Sequence, residues 1–539
     1  MSAKGQHTLK AGLGFQRSVS DANAAYPGGY VLVYWDLTFS FGGTSGRGTY
    51  GYYEVNDRGF QGTAVADMAS LFVQDRYTIG NRLTLDLGLR AETEQIPSYR
   101  PDLAKYVMRF GWGDKIAPRL GASYDVRGNG RTKVYGSWGR YYDWTKYQFS
   151  RNAGGADFWK TYYRSLDTLD ISSLNLGNMP GTDLWVVPGS YRDQAVASLD
   201  RVDTSAKATY QDSVSAGVEH QLGAHTVLTA HYVHNDLKQV LEDVGMLINA
   251  NRVLYISNPG EGQASVMATT GKTAPFATPD VKRTYDALEL GVNRRLSRGW
   301  FASANYTYSR LYGNYGGLAN SDEIRTPTTG GSYLTPQAQD RSIANPGGAL
   351  RTSWNIDEVM WDSHGNLDIV GRLATDRPHV GKIYGAYSFP TGTQIGLLFY
   401  GASGTPISTY VNTTNQTEVF VNGRGDLGQT PAVSQTNLLV SQGVRVGGRR
   451  RLRFELNVLN LFNQKTAVHL FNYLNRGGGA VPRASSAMNL SQIDLAGGYD
   501  YDALVRASSD KANAYDPRYG LADLFSEGRR GQIMVKLLF

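Results

Sequence analysis

Gly531-Gln532-Ile533-Met534-Val535-Lys536-Leu537-Leu538-Phe539 ends the chain, and counting back from Phe539 every second residue (Leu537, Val535, Ile533) is apolar. Successive side chains of a β-strand point to opposite faces, so these residues make one apolar face. Chain ends of soluble domains usually fray. A membrane barrel instead pairs its last strand, because lipid cannot hydrogen-bond an open backbone edge. The segment therefore predicts an outer-membrane β-barrel, set against an ordinary final strand of a soluble β-protein.

The same alternation recurs upstream. Leu83, Leu85, Leu87 and Leu89 alternate with Thr84, Asp86, Gly88 and Arg90, after Leu71–Tyr77 and the turn Gly80-Asn81-Arg82. Val214-Ala216-Val218 leads through Leu222-Gly223-Ala224 to Leu228-Ala230-Tyr232. Leu288-Leu290-Val292 leads through Ser297-Arg298-Gly299 to Ala302-Ala304-Tyr306-Tyr308. Leu452-Phe454-Leu456-Val458 follows Gly447-Gly448-Arg449. Further hairpins turn at Arg127-Gly128-Asn129-Gly130, which contains the strong Asn-Gly signal, and at Pro390-Thr391-Gly392. Apolar residues alternating with polar or small ones suit lipid outside and water inside. The expected fold is all-β, an antiparallel transmembrane barrel with about 14–16 strands in this chain. A soluble sandwich or propeller also alternates. Against it, short turns alternate with long connections at 143–207, 236–282, 310–377, 403–432 and 460–528. Long structureless connections are uncommon in compact soluble domains, whereas barrels carry short periplasmic turns and long extracellular loops.

Composition agrees. The 539 residues include 35 Tyr, 18 Phe, 9 Trp and 63 Gly, material for aromatic girdles and turns. Mean hydropathy is below zero, and no run nears the roughly 20 apolar residues of a spanning helix. Cysteine is absent, which excludes thiolate metal sites, cysteine nucleophiles and disulfides. The net charge of +7 is spread along the chain rather than gathered in a basic stripe, so no nucleic-acid partner is expected. Met1–Lys10 lacks the apolar core of a signal peptide.

Several segments together resemble one family. Ala69-Ser70-Leu71-Phe72-Val73-Gln74-Asp75 with Leu83–Arg90 is similar to the "FVQD…LTLNLGLR" hairpin of TonB-dependent outer-membrane receptors. Asn457-Val458-Leu459-Asn460-Leu461-Phe462-Asn463 resembles their "NLFN" strand end. With Ile116–Gly121, Tyr306–Tyr315 and Asp516–Gly520, the pattern resembles the Oar-like branch from about residue 5 to 539. The resemblance implies location in the outer membrane of a Gram-negative bacterium. It also implies that Ile533, Val535, Leu537 and Phe539 form a terminal signal for the barrel-assembly machinery. The activity implied is gated, TonB-dependent uptake of a scarce solute: an iron chelate, an oligosaccharide or a peptide.

The departures are equally specific. Family members carry a signal peptide, a TonB box, a plug and 22 strands; here residues 1–539 are expected to be a barrel domain alone, without plug or signal peptide. His7–Gly12 resembles a strand from inside the family's barrel. The expectation is thus a truncated chain that meets the TonB complex only through a missing N-terminal part. A complete pore of roughly 16 strands, porin-like or adhesive, is the alternative that avoids open edges in lipid.

Candidate ligand residues are the aromatics of the long connections: Trp144, Trp159, Tyr162, Tyr163, Trp185, Trp354 and Trp361. Exposed rings could stack on sugars or a chelate; girdle or loop packing is the bland reading and the favoured one. His220, His225, His231 and His234 surround one hairpin, but His225 and His234 lie about 30 Å apart on an extended strand, too far to share a zinc ion. Asn235-Asp236 and Asn320-Ser321-Asp322-Glu323 read as solvated loop rather than calcium ligands. Gly271-Lys272-Thr273 lacks the glycine a phosphate loop needs, since Val266 holds that position. No Gly-x-Ser-x-Gly or His-Glu-x-x-His motif occurs. No metal, cofactor or enzymatic activity is expected; a barrel lipase or protease is the enzyme-class competitor.

Overall fold

The computed structural model describes residues 5–145, 153–155, 157–185, 189–194, 199–248, 251–265, 278–316, 362–366, 368–412, 418–448, 450–472, 474, 497–507 and 515–539. Each alternating segment becomes a wall strand: β1 (Gly5–Ala25), β2 (Gly51–Ile79), β3 (Leu83–Glu92), β4 (Ile116–Asp125), β5 (Thr132–Tyr142), β6 (Tyr210–Leu222), β7 (Thr226–Gln239), β8 (Arg283–Ser297), β9 (Trp300–Gly313), β10 (His379–Ser388), β11 (Thr393–Ala402), β12 (Val433–Arg445), β13 (Arg451–Leu459) and β14 (Arg530–Leu538). Every strand pairs antiparallel with the next in sequence. Among the described residues the fourteen wall strands fall within the expected range. Phe539 lies just beyond β14.

The expected turns fall on one rim. At the β8–β9 turn, Arg298 and Gly299 both adopt positive φ, 52° and 84°. That backbone matches the twist of flanking strands. Gly5 of β1 pairs with Ile79, and Leu538 of β14 with Arg451, so both ends of the wall lie on this rim.

Alternation separates the faces. On β8, Leu288, Leu290 and Val292 face outward and are 43–44% exposed. Above them Asp286, also outward, accepts from His234 Nδ1 at 2.8 Å and from the Tyr232 hydroxyl at 2.7 Å. Below them comes Arg294. The eight steps from Asp286 to Arg294 span about 27 Å along the strand, or about 20 Å of height at the usual tilt. These charges bracket the lipid-facing band. Ion pairs line the inward face: Arg76 with Asp86 at 2.7 Å, Lys133 with Glu219 at 3.1 Å, His231 with Glu289 at 3.3 Å.

Several connections depart from the loop reading: Glu242–Ile248 pairs with Asn251–Ser257, Tyr410–Asn412 with Glu418–Phe420, and Ala467–Leu470 with Ala522–Phe525. Within 143–207, Asp157–Leu166 is a strand paired with the upper part of β2, whose other edge holds Tyr30–Trp35. It escapes a lipid-alternation reading because it stands above the membrane band. There Tyr53, Val55 and Leu166 are fully buried and Leu174 is nearly so, an apolar core made by the loops.

Among the described residues, the outer edges of β1 and β14 carry no partner strand, and no pairing joins them.

Candidate functional site at the lumen mouth

A cavity of about 490 Å³ opens into the lumen at the loop end of the wall. Its floor comes from inward positions of four strands: Gln211 of β6, Asn235 and Leu237 of β7, Arg283 and Tyr285 of β8, and Leu311 of β9. Asp143 and Tyr315 close its upper side. Arg283 is half-buried, and its Nη1 donates to the Gly316 carbonyl. Among the described residues no carboxylate pairs with it. Tyr315 is 3% exposed and its hydroxyl donates to Glu242 Oε2 at 3.1 Å. Burial, reinforced by Glu242, holds that hydroxyl well above its ordinary pKa, so it remains a donor. The floor offers a forked cation, two amides and an aromatic ring. Such a set suits a solute with a carboxylate or phosphate and a flat or apolar body.

Beside the cavity, a buried ion pair anchors its upper wall. Lys115 Nζ lies 2.5 Å from Glu94 Oε2, with the side chains 1% and 6% exposed. Lys115 also donates to the Asp143 carbonyl at 3.0 Å, and Glu94 Oε1 accepts from the Thr145 amide at 2.7 Å. The pair thus holds the segment that carries Asp143 and Trp144.

The aromatics selected from sequence divide into three groups. Tyr163 is 7% exposed and packs with Phe39 at 4.6 Å and Trp185 at 5.6 Å between ring centroids. Trp159 donates from Nε1 to Asn56 Oδ1 at 2.8 Å beneath Arg58, whose guanidinium sits 4.1 Å above the ring. Tyr162 meets Tyr191 edge-on at 5.5 Å. These belong to the sheet above β2, apart from the cavity. Trp144 is exposed next to the anchoring pair. Trp354 and Trp361 lie outside the described residues, as do Asn320–Glu323 and Gly271–Thr273. Of the histidines, His231 faces the lumen and His234 the outside, each with its own carboxylate.

Sequence reading missed Arg283, Gln211 and Tyr315 as site residues, and its reading of Asn235-Asp236 as solvated loop is corrected: both lie inside β7, with Asn235 facing the lumen. Extending the alternation of β8 backward through Ala287 and Tyr285 puts Arg283 on the inward face. That signal gives its direction but not its neighbours.

A polar lumen, an apolar outward stripe, tight turns on one rim and long loops on the other define an outer-membrane β-barrel wall. The chain belongs to the outer membrane beta barrel domain family, whose model matches residues 2–394. It is similar to the TonB-dependent transporter Oar of Myxococcus xanthus, 30% identical over 498 residues, covering 86% of this chain and 42% of that protein. The chain therefore spans less than half the length of this curated relative. Among solved structures, the outer membrane transporter YddB from Escherichia coli superposes with a TM-score of 0.44 at 13% identity, over 81% of this chain and 50% of that one. A mutant of the ferric enterobactin receptor PfeA from Pseudomonas aeruginosa gives a TM-score of 0.40 at 12% identity, over 90% and 50% of the two chains. These relatives are transporters and receptors rather than enzymes, and the chain is a protein of the Gram-negative outer membrane.

Proposed function

We infer that this chain forms solute-recognising barrel wall for TonB-dependent uptake across the outer membrane. The cavity around Arg283 carries the reading: it faces the lumen, opens at the loop rim and presents, beside amides and a tyrosine, a guanidinium that no carboxylate among the described residues pairs with. The similarity to Oar supports the energised mode of uptake. The cargo class is a scarce solute with an anionic group, whether an iron chelate, an acidic oligosaccharide or a peptide. Trp144 beside the anchoring pair, and Trp159 and Tyr162 on the sheet that extends β2, contribute stacking surfaces in the loops, with Tyr163 and Trp185 as their support. Ile533, Val535, Leu537 and Phe539 serve as the assembly signal.

The test is solute depletion from the medium by cells with and without the gene. The reading expects a solute that only the intact strain depletes. Its uptake should stop with a protonophore and fall sharply in Arg283→Gln cells that keep normal barrel levels. Depletion that persists with the protonophore would identify a porin instead, and depletion indifferent to Arg283 would remove the cavity from the site.

A further inference from the structure

We propose a phospholipid site on the outer face of β9, β10 and β11, in the periplasmic leaflet, with an acyl chain in an apolar groove and an anionic headgroup on Arg294. The groove has a volume of about 870 Å³. Its floor is Ala302 opposite Gly385; Trp300 opposite Tyr387 marks its turn end, and Ile383 opposite Phe399 its upper end. From Trp300 to the level of Ile383 is four strand residues, about 14 Å, which accommodates much of an acyl chain. Gly385 keeps the floor low, since a Cβ there would come within 2.6 Å of the Phe301 carbonyl and 3.3 Å of the Ala302 side chain.

The turn end supplies the charge. Arg294 shares the outward parity of Leu290 and Val292 and pairs in register with Ala302. Its guanidinium lies 4.1 Å above the Trp300 ring. Its Nε is buried without a hydrogen-bond partner, and among the described residues no carboxylate pairs with it. A buried donor left unmade is costly, and a cation at the lipid boundary gains most from an anion. A phosphate beside the guanidinium supplies that anion while its chain follows the groove toward the bilayer centre. The short-turn rim puts this site in the periplasmic leaflet, where phospholipid is the available amphiphile.

The full chain, purified from outer membranes in mild detergent, is titrated with palmitoyl-oleoyl phosphatidylglycerol or phosphatidylcholine and examined by native mass spectrometry. The site predicts one retained phosphatidylglycerol, held in preference to phosphatidylcholine. Arg294→Gln should weaken retention roughly tenfold and erase the preference, whereas Arg294→Lys keeps most of it. Ala302→Phe, which fills the groove beside Arg294 but leaves its charge in place, should also release the lipid. Inorganic phosphate at millimolar concentration should not displace it. Heat-modifiable gel mobility confirms that each variant is folded. Equal retention of the two lipids by the wild-type chain, displacement by phosphate, or retention unchanged in either Arg294→Gln or Ala302→Phe would overturn the proposal.

Discussion

Lys115 and Glu94 meet at 2.5 Å with almost no solvent contact, and between them they hold the backbone of Asp143 and Thr145. Two buried charges gain little net stability together, but removing one leaves the other desolvated and unpaired. Lys115→Met should therefore cost about 3–5 kcal/mol. Replacing both, with Lys115→Met and Glu94→Leu, should recover much of that loss. The urea midpoint of the folded band reads both effects. Equal stability of the single and double variants would exclude the mechanism.

Leu290 and Glu289 are neighbours in sequence and opposites in environment. Leu290→Arg puts a charge mid-band in lipid and should cost about 2–4 kcal/mol. Glu289→Gln changes one partner of an exposed lumen pair and should stay within about 1 kcal/mol. Folding titrations into lipid vesicles compare them, and similar costs would contradict the assignment of faces.

Asn460 lies at the strand end picked out by the family motif, and it is both 4% exposed and left-handed, with φ of 52°. Its Nδ2 donates to the carbonyls of Gln464 and Glu527, each at 2.8 Å, and its Oδ1 accepts from the Gln464 amide at 2.9 Å. Asn460→Ala loses these bonds and strains the backbone, roughly 2–4 kcal/mol in all. Asn460→Gly should return only the backbone part, about 1 kcal/mol. Full rescue by glycine in the same urea titration would mean that the hydrogen bonds contribute nothing.

Asp167 in the loops ties Thr49 to Ser165. It accepts from the Thr49 amide at 2.8 Å and hydroxyl at 3.0 Å, and from the Ser165 hydroxyl at 2.7 Å. Those bonds, the Thr49 amide foremost, hold its carboxyl below the ordinary range. A depressed native pKa stabilises the fold above the unfolded value of about 4 and loses that contribution as pH falls through the native one. Hydrogen exchange at the Thr49 amide should accelerate as pH drops below about 4, beyond the intrinsic rate change, and Asp167→Asn should show no such step.

The strands could be read from sequence because alternation is local: each residue's face follows from its neighbour's. Leu83–Leu89, Leu288–Val292 and the turns at Gly80, Gly223 and Gly299 needed no distant information. Asn460 and Asn463 were legible as a motif, but their positive φ and the reach of Asn460 to Glu527 were not. Asp157–Leu166 escaped because it pairs with β2 above the membrane, where no lipid imposes an apolar face.

Ile533, Val535 and Leu537 face outward on β14 as their spacing requires, because strand parity follows from chain geometry wherever the strand is placed. The company of Arg283 is of another kind. Its neighbours Gln211, Asn235 and Leu311 come from three separate strands, and Tyr315 from just beyond the last of these, brought together by register across the sheet. Register is a sum of pairings over the whole wall, so the site exists only once the strands have been assembled side by side.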